Sequence, residues 1–428
     1  MDASRLPATA VARVPLPSRL DVRGLAVQSV LDATTVAARL SGGGTPSLDP
    51  IRIGAAYSSE RHLRVGGGRP VAFAPLSGFF RTADGWLRTH GNYPHHAAAL
   101  LGALGLPATA GREEVAAALS GMHGREAARR IVSAGGLAAP IQPEDTGLDA
   151  RLRSTPLVAV RQVGDGPSVP LPGPAPSAPL AGVRVLDLTR VIAGPVATRT
   201  LALLGAEVLR VDPPQVQELP AQHLDTGHGK RSALLDLDSV AGATRFTELL
   251  ASADVVVLGY RPAGLDRLGL SPAALAARRP GIVVARLSAW GEPDRRGFDS
   301  IVQAASGIAM IESPDGESPG VLPAQALDHS AGYLLAAGIL RRLERRTTEG
   351  GSWIVETSLR RIAAELLGRP RAAGEVSADV VDARGHTQSF RVAGVDVVTV
   401  APAVLYAGGP ERFAAPRPWG GDEPSWLP

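Results

Sequence analysis

The sequence predicts an α/β fold, in which a parallel sheet with flanking helices accompanies a smaller α+β domain. In the second half of the chain, short apolar runs rich in β-branched residues alternate with segments of helical periodicity. Strands separated by helices need crossover connections, and these produce a parallel sheet. Proline, glycine and serine dominate 164–180, a composition typical of a semi-rigid linker. We therefore expect a small α+β domain over 1–163, a linker over 164–180 and the parallel-sheet domain over 181–428.

Five apolar runs in the sheet domain are predicted to be strands. They lie at 183–188, 207–211, 254–258, 282–287 and 354–357. Runs without polar alternation are typical of strands that are covered on both faces. Helices are predicted between them over 194–204, 239–252 and 271–278. The first of these helices has a proline in its first turn, where the missing N–H costs nothing.

The pattern in the first 163 residues is less regular. Asp84-Gly85 follows Phe79-Phe80 and predicts a hairpin turn between two strands. Helices are predicted over 95–104, 113–119 and 124–134.

The composition excludes several classes of protein. The chain has 428 residues and a net charge of only +3, from 44 basic and 41 acidic side chains. Its arginine pairs lack the interleaved aromatic residues of a single-strand nucleic-acid binder, so no nucleic-acid partner is expected. Cysteine is absent, which excludes disulfides and a cysteine nucleophile. No apolar run reaches the roughly 18 residues of a membrane span, and we expect a cytoplasmic protein.

Common catalytic motifs are also missing. The histidines show no metal-binding spacing such as HExxH, and we expect no metal site. The sequence has no P-loop and no GxGxxG fingerprint. Candidate residues are therefore sought at the ends of the predicted strands, where parallel sheets bind their ligands.

Three segments next to strands carry candidate binding residues. The turn LTRVIAGP at 188–195 contains a glycine before a helix, so its backbone could approach a phosphate or thioester; a plain tight turn is the alternative. Lys230 and Arg231 in GHGKRS could bind phosphates or could form a surface turn. Tyr260 follows the strand DVVVLG and could cover an adenine, with Arg267 further along the next helix; a simple helix start is the alternative.

Asp328 directly precedes an apolar helix in PAQALDHSAGYLLAAGIL. By pattern alone, an aspartate here is a helix N-cap that accepts hydrogen bonds from free backbone N–H groups. The other interpretation is a carboxylate nucleophile that forms acyl intermediates, with N–H groups nearby stabilising negative charge. The local pattern favours the cap and leaves the nucleophile open.

The order of the segments carries a family resemblance. The run 179–213 is followed by GHGKRSALLDL, ADVVVLGYRPAGLDRLGLS, PGIVVARLSAWG, RRGFDSIVQAASGIA and LPAQALDHSAGYLLAAGIL. This series resembles the family III CoA-transferases, the CaiB/BaiF group, over roughly 179–367. The resemblance implies a Rossmann-like sheet in which 181–428 binds coenzyme A and carries the catalytic residue.

The resemblance assigns roles to individual residues. Asp328 corresponds to the family's nucleophile, which moves CoA from an acyl-CoA thioester to a carboxylic acid through aspartyl anhydride and thioester intermediates. Coenzyme A is then a substrate, and no tightly bound cofactor is expected. The positions that carry over as CoA contacts are Val191, Ala193, Lys230, Arg231, Tyr260, Arg267 and Arg296. Asp299 corresponds to an acidic position close to the active site.

Two departures from the family pattern bear on function. Related α-methylacyl-CoA racemases use a histidine and an aspartate as acid and base, and Phe298 occupies the position of that histidine. A phenyl ring cannot move a proton, which disfavours racemisation by that route. About 180 residues also precede the family's opening segment. They resemble the family's late small domain, and their glycine run Gly66, Gly67 and Gly68 is a candidate loop for covering the active site.

Three functions stay open at this stage. The favoured one is a CoA-transferase that acts through Asp328 on acyl-CoA and carboxylic acid substrates. The alternatives are an isomerase similar to the α-methylacyl-CoA racemases and a non-catalytic relative that binds CoA. Family members are interlocked homodimers, so we expect a homodimer, although the rearranged order leaves the interlocking open.

Overall fold

The computed structural model describes residues 13–173, 175–292, 294–372 and 382–428. Within these ranges the strands are β1 (Pro46–Ser47), β2 (Arg64–Val65), β3 (Gly78–Thr82), β4 (Gly85–Thr89), β5 (Ala138–Pro140), β6 (Ala159–Gly164), β7 (Arg184–Leu188), β8 (Glu207–Asp212), β9 (Arg231–Leu234), β10 (Val255–Leu258), β11 (Val283–Ser288), β12 (Ser352–Ser358), β13 (Thr387–Val392), β14 (Val395–Val400) and β15 (Leu405–Tyr406).

The helices alternate with these strands through much of the chain. In the same described ranges they are α1 (Val22–Leu40), α2 (Pro50–Tyr57), α3 (Ser59–His62), α4 (Pro94–Ala103), α5 (Arg112–Ser120), α6 (Gly124–Ser133), α7 (Thr146–Arg153), α8 (Ala193–Leu203), α9 (Pro220–Thr226), α10 (Val240–Leu250), α11 (Pro262–Arg267), α12 (Pro272–Arg278), α13 (Asp299–Ala305), α14 (Ile308–Ile311), α15 (Ala326–Glu349) and α16 (Leu359–Leu367). None of these helices is both long enough and apolar enough to cross a membrane.

Seven strands form one large sheet in the order β6-β12-β11-β10-β7-β8-β9. Six of them run parallel, and β6 pairs antiparallel with β12 at one edge. All four residues of β10 are buried, since helices cover both faces of the sheet. The predicted α/β fold, with a parallel sheet and flanking helices, is confirmed.

The strand order reverses between β7 and β10. After β7 the chain moves outward through α8 to β8 and β9, and it then returns to place β10 on the other side of β7. At such a switch point the two loops leave the sheet in opposite directions, and a crevice opens at the carboxyl ends of the strands. The turns that follow β7 and β10 therefore flank the place where a ligand is expected.

Helix α15 packs against both α1 and α8. Gly332 permits the close approach to α8, because a Cβ there would lie 2.6 Å from the carbonyl oxygen of Ala193 and 2.8 Å from Cβ of Val196. This contact lies one turn after Asp328, so it fixes the first turn of α15 against the start of α8.

A smaller antiparallel sheet, β3-β4-β5, packs with α4, α5 and α6 around its own apolar core. The predicted hairpin and the three predicted helices of this region are present. The backbone N–H of Gln142 donates to the carbonyl of Ala304 at 3.1 Å, and the indole of Trp86 donates to that of Glu317 at 3.1 Å. These bonds attach the small sheet to the segment around α13.

The N-terminal and C-terminal parts of the chain are interwoven. Strand β2 extends the β13-β14 hairpin, and β1 pairs with β15. Residues 1–163 supply α1, which covers α15, and most of β6, which extends the main sheet. Neither element was among the predicted ones. The division of the chain into domains at 163 and 181 stays a prediction.

Candidate active site

The turn that follows β7 is built on a buried aspartate. Asp187 accepts hydrogen bonds from the backbone N–H of Thr189 at 3.1 Å, from its hydroxyl at 2.5 Å and from the hydroxyl of Thr198 at 2.6 Å. Nζ of Lys230 lies 3.0 Å from the same carboxylate and donates to the carbonyl of Pro195 at 2.9 Å. Burial opposes ionisation of Asp187, but the charges of Lys230 and Arg210 and the hydroxyl hydrogen bonds together outweigh it and lower the pKa. This ion pair holds the start of α8 against the end of β7.

The same turn contains a strained residue. Val191 has φ 72°, in the left-handed region that a β-branched side chain rarely adopts. The buried carboxylate of Glu218 lies next to the backbone N–H of this residue. Glu218 accepts hydrogen bonds from the hydroxyl of Tyr93 at 2.7 Å and from Arg210 at 2.7 Å, and Arg190 lies 3.4 Å away. Burial raises the pKa of Glu218, but the two arginines outweigh that effect and lower it to about 2.

Asp328 lies in the first turn of α15 but does not cap the helix. The capping carboxylate comes from α13: Asp299 accepts the backbone N–H of Asp328 at 3.0 Å and also that of Leu327. The amide of Gln303 donates to the other oxygen of Asp299 at 2.5 Å. Among the described residues, none donates a hydrogen bond to the side-chain carboxylate of Asp328. The cap interpretation is therefore wrong here, and the carboxylate can contact a ligand.

Asp299 and Asp328 form a buried acidic pair. Asp299 is fully buried and Asp328 is 6% exposed. Burial raises the pKa of Asp299 to about 6, against the lowering effect of its hydrogen bonds. Burial, and then the charge of Asp299, raise the pKa of Asp328 well above its usual value. Asp328 is thus more basic, and a stronger nucleophile once ionised, than an exposed aspartate.

A cavity of about 400 Å³ opens between the turns that follow β7 and β10, and Asp328 lines it. Its wall carries four guanidinium groups, those of Arg190, Arg261, Arg295 and Arg296. Glu292 neutralises Arg295 at 3.0 Å. Arg261 is exposed, and no described residue forms an ion pair or hydrogen bond with its guanidinium. This first cavity can therefore attract an anionic ligand.

A second cavity, of about 410 Å³, shares Asp328, Phe298, Tyr93 and Val191 with the first. The segment 70–75 forms much of its wall and contributes proline, valine, alanine and phenylalanine side chains. Asp328 thus belongs to two cavities of opposite character, of which the first is basic and the second is largely apolar.

Aromatic rings form the wall that the cavities share. Phe298 stacks on His90, with ring centroids 4.0 Å apart and planes inclined by 12°. Tyr93 lies 6.3 Å from the same phenyl ring and His96 lies 5.9 Å from it. Burial lowers the pKa of His90 to about 3 and that of His96 to about 4. Both imidazoles are therefore neutral near pH 7.

Several predicted site residues meet at these cavities. Val191, Ala193, Tyr260 and Arg296 line the first cavity together with Asp328. Asp299 does not line either cavity but contacts Asp328 directly. The guanidinium of Arg296 donates to the carbonyl of Gly135 at 2.8 Å, which ties the small sheet unit to the cavity wall.

Three residues that were predicted to contact CoA line neither cavity. Lys230 is buried beneath the turn after β7, where its ammonium is occupied by Asp187. Arg231 begins β9, at the amino edge of the sheet, and donates to backbone carbonyls of the C-terminal segment. Arg267 is exposed and pairs with Asp238 at 2.5 Å. Their contact with CoA stays a prediction that this geometry does not support.

The predicted glycine run is an exposed turn after β2. Gly66 and Gly67 have φ 57° and 82°, and the N–H of Gly66 donates to the carbonyl of Asp396 at 2.8 Å. Gly66, Gly67 and Gly68 line neither cavity, whereas 70–75, which follow them, line the second. A covering role for the glycines themselves stays a prediction.

Sequence reasoning missed several residues of the site. Arg190 and Arg261 follow β7 and β10 within three residues, and this position after a parallel strand was an available signal. Arg295 gave no such signal. Glu60 and Asp225 line the second cavity from two short helices that are remote in sequence, so no local pattern joins them.

The fold and the family comparison define the class of protein. The model of CoA-transferase family III matches residues 180–413, and the chain belongs to that family. The resemblance predicted from the ordered motifs is confirmed.

Individual relatives match part of the chain. It is 33% identical over 214 residues to the probable fatty acyl-CoA transferase Rv3272 of Mycobacterium tuberculosis (strain ATCC 25618 / H37Rv), covering 46% of this chain and 54% of that one. It is 32% identical over 200 residues to the succinyl-CoA--L-malate CoA-transferase alpha subunit of Chloroflexus aurantiacus, covering 42% and 46%. It is 34% identical over 188 residues to the formyl-CoA:oxalate CoA-transferase of Rhodopseudomonas palustris (strain BisA53), covering 40% and 44%.

Solved structures give a similar coverage. A crystal structure of Rv3272 matches with 33% identity and a TM-score of 0.42, over 44% of this chain and 56% of that one. A CAIB/BAIF family protein from Brucella suis matches with 26% identity and a TM-score of 0.43, over 45% and 56%. The chain spans about half the length of the curated relatives it matches.

Proposed function

We propose that this protein is a CoA-transferase that moves CoA from an acyl-CoA thioester to a carboxylic acid through Asp328. One observation carries the proposal: the buried carboxyl of Asp328, to which no described residue donates a hydrogen bond, belongs to the walls of both a basic and an apolar cavity. A transferase must hold an anionic CoA and an acyl group on either side of one reacting carboxylate. The relatives named above as CoA-transferases support the same reaction class.

In this proposal, the first cavity holds CoA. Arg261 and Arg190 would contact its phosphates, since guanidinium groups bind phosphate oxygens in a bidentate manner. The ring of Tyr260, which is half-buried at the cavity wall, would cover the adenine. The backbone turn at Val191 would bring its main chain close to the thioester end.

The chemistry would proceed through two acyl intermediates on Asp328. An oxygen of the ionised carboxylate attacks the thioester carbonyl, the C–S bond breaks, and CoA thiolate leaves a mixed anhydride. The thiolate then attacks the carbonyl carbon of Asp328 and releases the donor acid as its carboxylate. The acceptor carboxylate attacks the resulting aspartyl-CoA thioester and displaces the thiolate. The thiolate finally takes the acceptor's acyl group, and Asp328 leaves as a carboxylate.

Trapping of the intermediate tests this proposal. Incubation of the protein with an acyl-CoA, followed by hydroxylamine or borohydride, should modify Asp328, as read by peptide mass spectrometry. Asp328→Ala should abolish transfer, while Asp238→Asn, a change at an exposed aspartate that lines neither cavity, should leave it unchanged. Full transfer activity in the Asp328→Ala protein would overturn the proposal.

The isomerase alternative would need a base to remove the α-hydrogen of the acyl group. Phe298 cannot accept a proton, and its stacking neighbour His90 is a weak base, because burial lowers the pKa of His90 to about 3. Incorporation of deuterium at the α-carbon of a branched acyl-CoA in deuterated water would support isomerisation. Binding of CoA without turnover of any acyl donor would support the non-catalytic alternative.

Three properties of the whole molecule remain predictions. CoA acts as a substrate that is not tightly bound, the protein forms a homodimer, and it is cytoplasmic. Light scattering on the purified chain and assay of the protein for bound CoA test the first two.

A further inference from the structure

The second cavity contains acidic groups but no arginine or lysine among its described lining residues. Besides Asp328, its carboxyl groups are those of Glu60 and Asp225. Asp225 accepts the hydroxyl of Ser59 at 2.5 Å through one oxygen, and its other oxygen is buried without a hydrogen-bond partner. Arg199 is close by but donates to the backbone carbonyl of Asp225, at 2.7 Å, and not to the carboxylate.

The acidic groups resist ionisation in this environment. Burial raises the pKa of Glu60 to about 7, and burial also raises the pKa of Asp225. Arg61 lies 3.5 Å from Glu60 but does not line the cavity, so a further negative charge would have to be desolvated beside these groups without a cation in the described lining. A buried cation, Arg88, lies behind Phe73, with its guanidinium carbon 5.6 Å from that ring, and does not line the cavity.

The rest of the wall is mostly apolar, and its remaining polar side chains, three amides, a tyrosine and a histidine of lowered pKa, are uncharged near pH 7. Phe73, Val71 and Leu63 face the cavity from the segment around 63–75, and Ala221 faces it from α9. Its volume of about 410 Å³ lies within the usual range of small-molecule pockets. Such a wall stabilises a hydrocarbon chain by burial, and its described lining residues offer a second carboxylate no cationic partner.

We infer that the acid this protein activates is a monocarboxylate with an apolar body, and that the second cavity excludes dicarboxylates. The inference rests on the proposed function, because it places the acyl group of the substrate in the cavity that Asp328 shares with the CoA site. It goes further by assigning specificity to Glu60, Asp225 and the absence of a lining cation.

A matched series of acceptors tests the inference. Butyrate and pentanoate should be converted to their CoA thioesters with a kcat/KM at least roughly tenfold higher than succinate and glutarate, which have the same chain lengths. Equal or faster use of the dicarboxylates would overturn the inference. If dicarboxylates are used while Asp328 is still acylated, the specificity is wrong and the proposed function stands.

A binding measurement keeps the inference testable if turnover is absent. In the Asp328→Asn protein, butyryl-CoA should bind at least roughly tenfold more tightly than succinyl-CoA by calorimetry. Comparable dissociation constants for the two thioesters would overturn the inference. The result does not depend on whether Asp328 is the nucleophile.

A charge introduced into the cavity gives a second test. Gln222 lines the cavity from α9, and Gln222→Arg places a cation in its wall. The ratio of succinate to butyrate activity should rise at least roughly tenfold in this variant. Thr244→Arg, which adds the same charge at an exposed position of α10, should leave the ratio at its wild-type value. An unchanged ratio in the folded Gln222→Arg protein would count against the assignment of this cavity to the acyl group.

Discussion

At the scale of single residues, the site depends on two aspartates, and the capping role that the local pattern suggested for Asp328 falls to Asp299. Asp328 stands where an N-cap is expected, yet the helix is capped by Asp299, which comes from another helix 29 residues earlier. A local pattern could not reveal this, because the capping contact is long-range. The family resemblance identified Asp328 as the candidate nucleophile, and the geometry explains why its carboxylate is free.

The pH dependence of transfer should reflect this pair. Asp328 must be ionised to attack, and its raised pKa means that kcat/KM falls with decreasing pH at a higher pH than for an ordinary aspartate. Asp299→Asn removes the neighbouring negative charge, so the acid limb of the pH profile should shift to lower pH. Asp315→Asn, a change at an exposed loop residue, should leave the limb in place. If the acid limb of the pH profile does not move in Asp299→Asn, the result would contradict the effect of the Asp299 charge on the pKa of Asp328.

The same pair predicts a pH dependence of stability. A carboxyl whose pKa is raised by folding stabilises the fold fully below its unfolded value, here 3.8, and loses that contribution as the pH rises towards about 6. The free energy of unfolding of the wild type should therefore decline relative to Asp299→Asn across this window, as measured by urea unfolding. If the difference in the free energy of unfolding between the two proteins stays constant from pH 3.8 to 6, the result would contradict a raised pKa of Asp299 in the folded protein.

Two arginines of the C-terminal half allow a matched comparison for CoA binding. Arg261 lines the first cavity and has no ion-pair partner in the part of the chain that the structure describes, whereas Arg267 is exposed and already pairs with Asp238. Arg261→Ala should weaken CoA binding roughly tenfold, about 1.4 kcal/mol, because a charge-assisted phosphate contact is lost. Arg267→Ala should leave the dissociation constant unchanged in calorimetry. If Arg267→Ala weakens CoA binding and Arg261→Ala does not, the result would favour Arg267, which the family resemblance predicts to contact CoA.

At the scale of elements, the crossing of α15 and α8 positions the carboxylate of Asp328. The parallel strands and the helix after β7 were predictable, because their apolar runs and the Gly194-Pro195 start are local features. The crossing itself was not, since Gly332 looks like any small residue in an apolar helix. The role of Lys230 could not be predicted locally either. Its position before a strand suggested a contact with a ligand, whereas its buried ammonium donates hydrogen bonds to the turn that follows β7.

A methyl group at the crossing should disturb both stability and activity. In Gly332→Ala, the added Cβ would meet Ala193 and Val196 at less than 3 Å, so α15 must shift away from α8. We expect a loss of about 1–3 kcal/mol in the free energy of unfolding and a reduced kcat. Gly102→Ala, in the exposed part of α4 where a Cβ meets nothing within 4 Å, should be neutral or slightly stabilising. Equal stability of the two variants in urea unfolding would contradict the packing argument.

At the scale of the whole molecule, segments that lie far apart along the chain pack into the same apolar core. The composition of 164–180 suggested a boundary between two domains, but α1 packs on α15 and β6 pairs with β12 across that boundary. The sequence did not predict the antiparallel edge strand β6 or the N-terminal helix α1. The elements that they pack against, β12 and α15, lie more than 100 residues away along the chain, so no local pattern indicates the contacts. The second cavity is likewise assembled from distant parts: the segment 70–75, α9 and the first turn of α15.

This interweaving predicts that the two parts depend on each other. Residues 164–428 expressed alone should aggregate, because α15 would expose the apolar face that α1 covers and β12 would lose its edge partner. Co-expression with 1–163 should restore a soluble complex that copurifies. A soluble 164–428 fragment that unfolds cooperatively by itself would instead support the boundary predicted from composition.

The central claim is that the acyl group passes through Asp328, and an oxygen-tracing measurement tests it most directly. During turnover with an acceptor acid labelled with ¹⁸O in its carboxylate, the bridging oxygen of the second anhydride should remain on Asp328 when the new acyl-CoA leaves. Mass spectrometry of the peptide that contains Asp328 should then show a gain of about 2 Da per transferred oxygen, dependent on acyl-CoA. Turnover of the labelled acid with no ¹⁸O in that peptide would contradict the account.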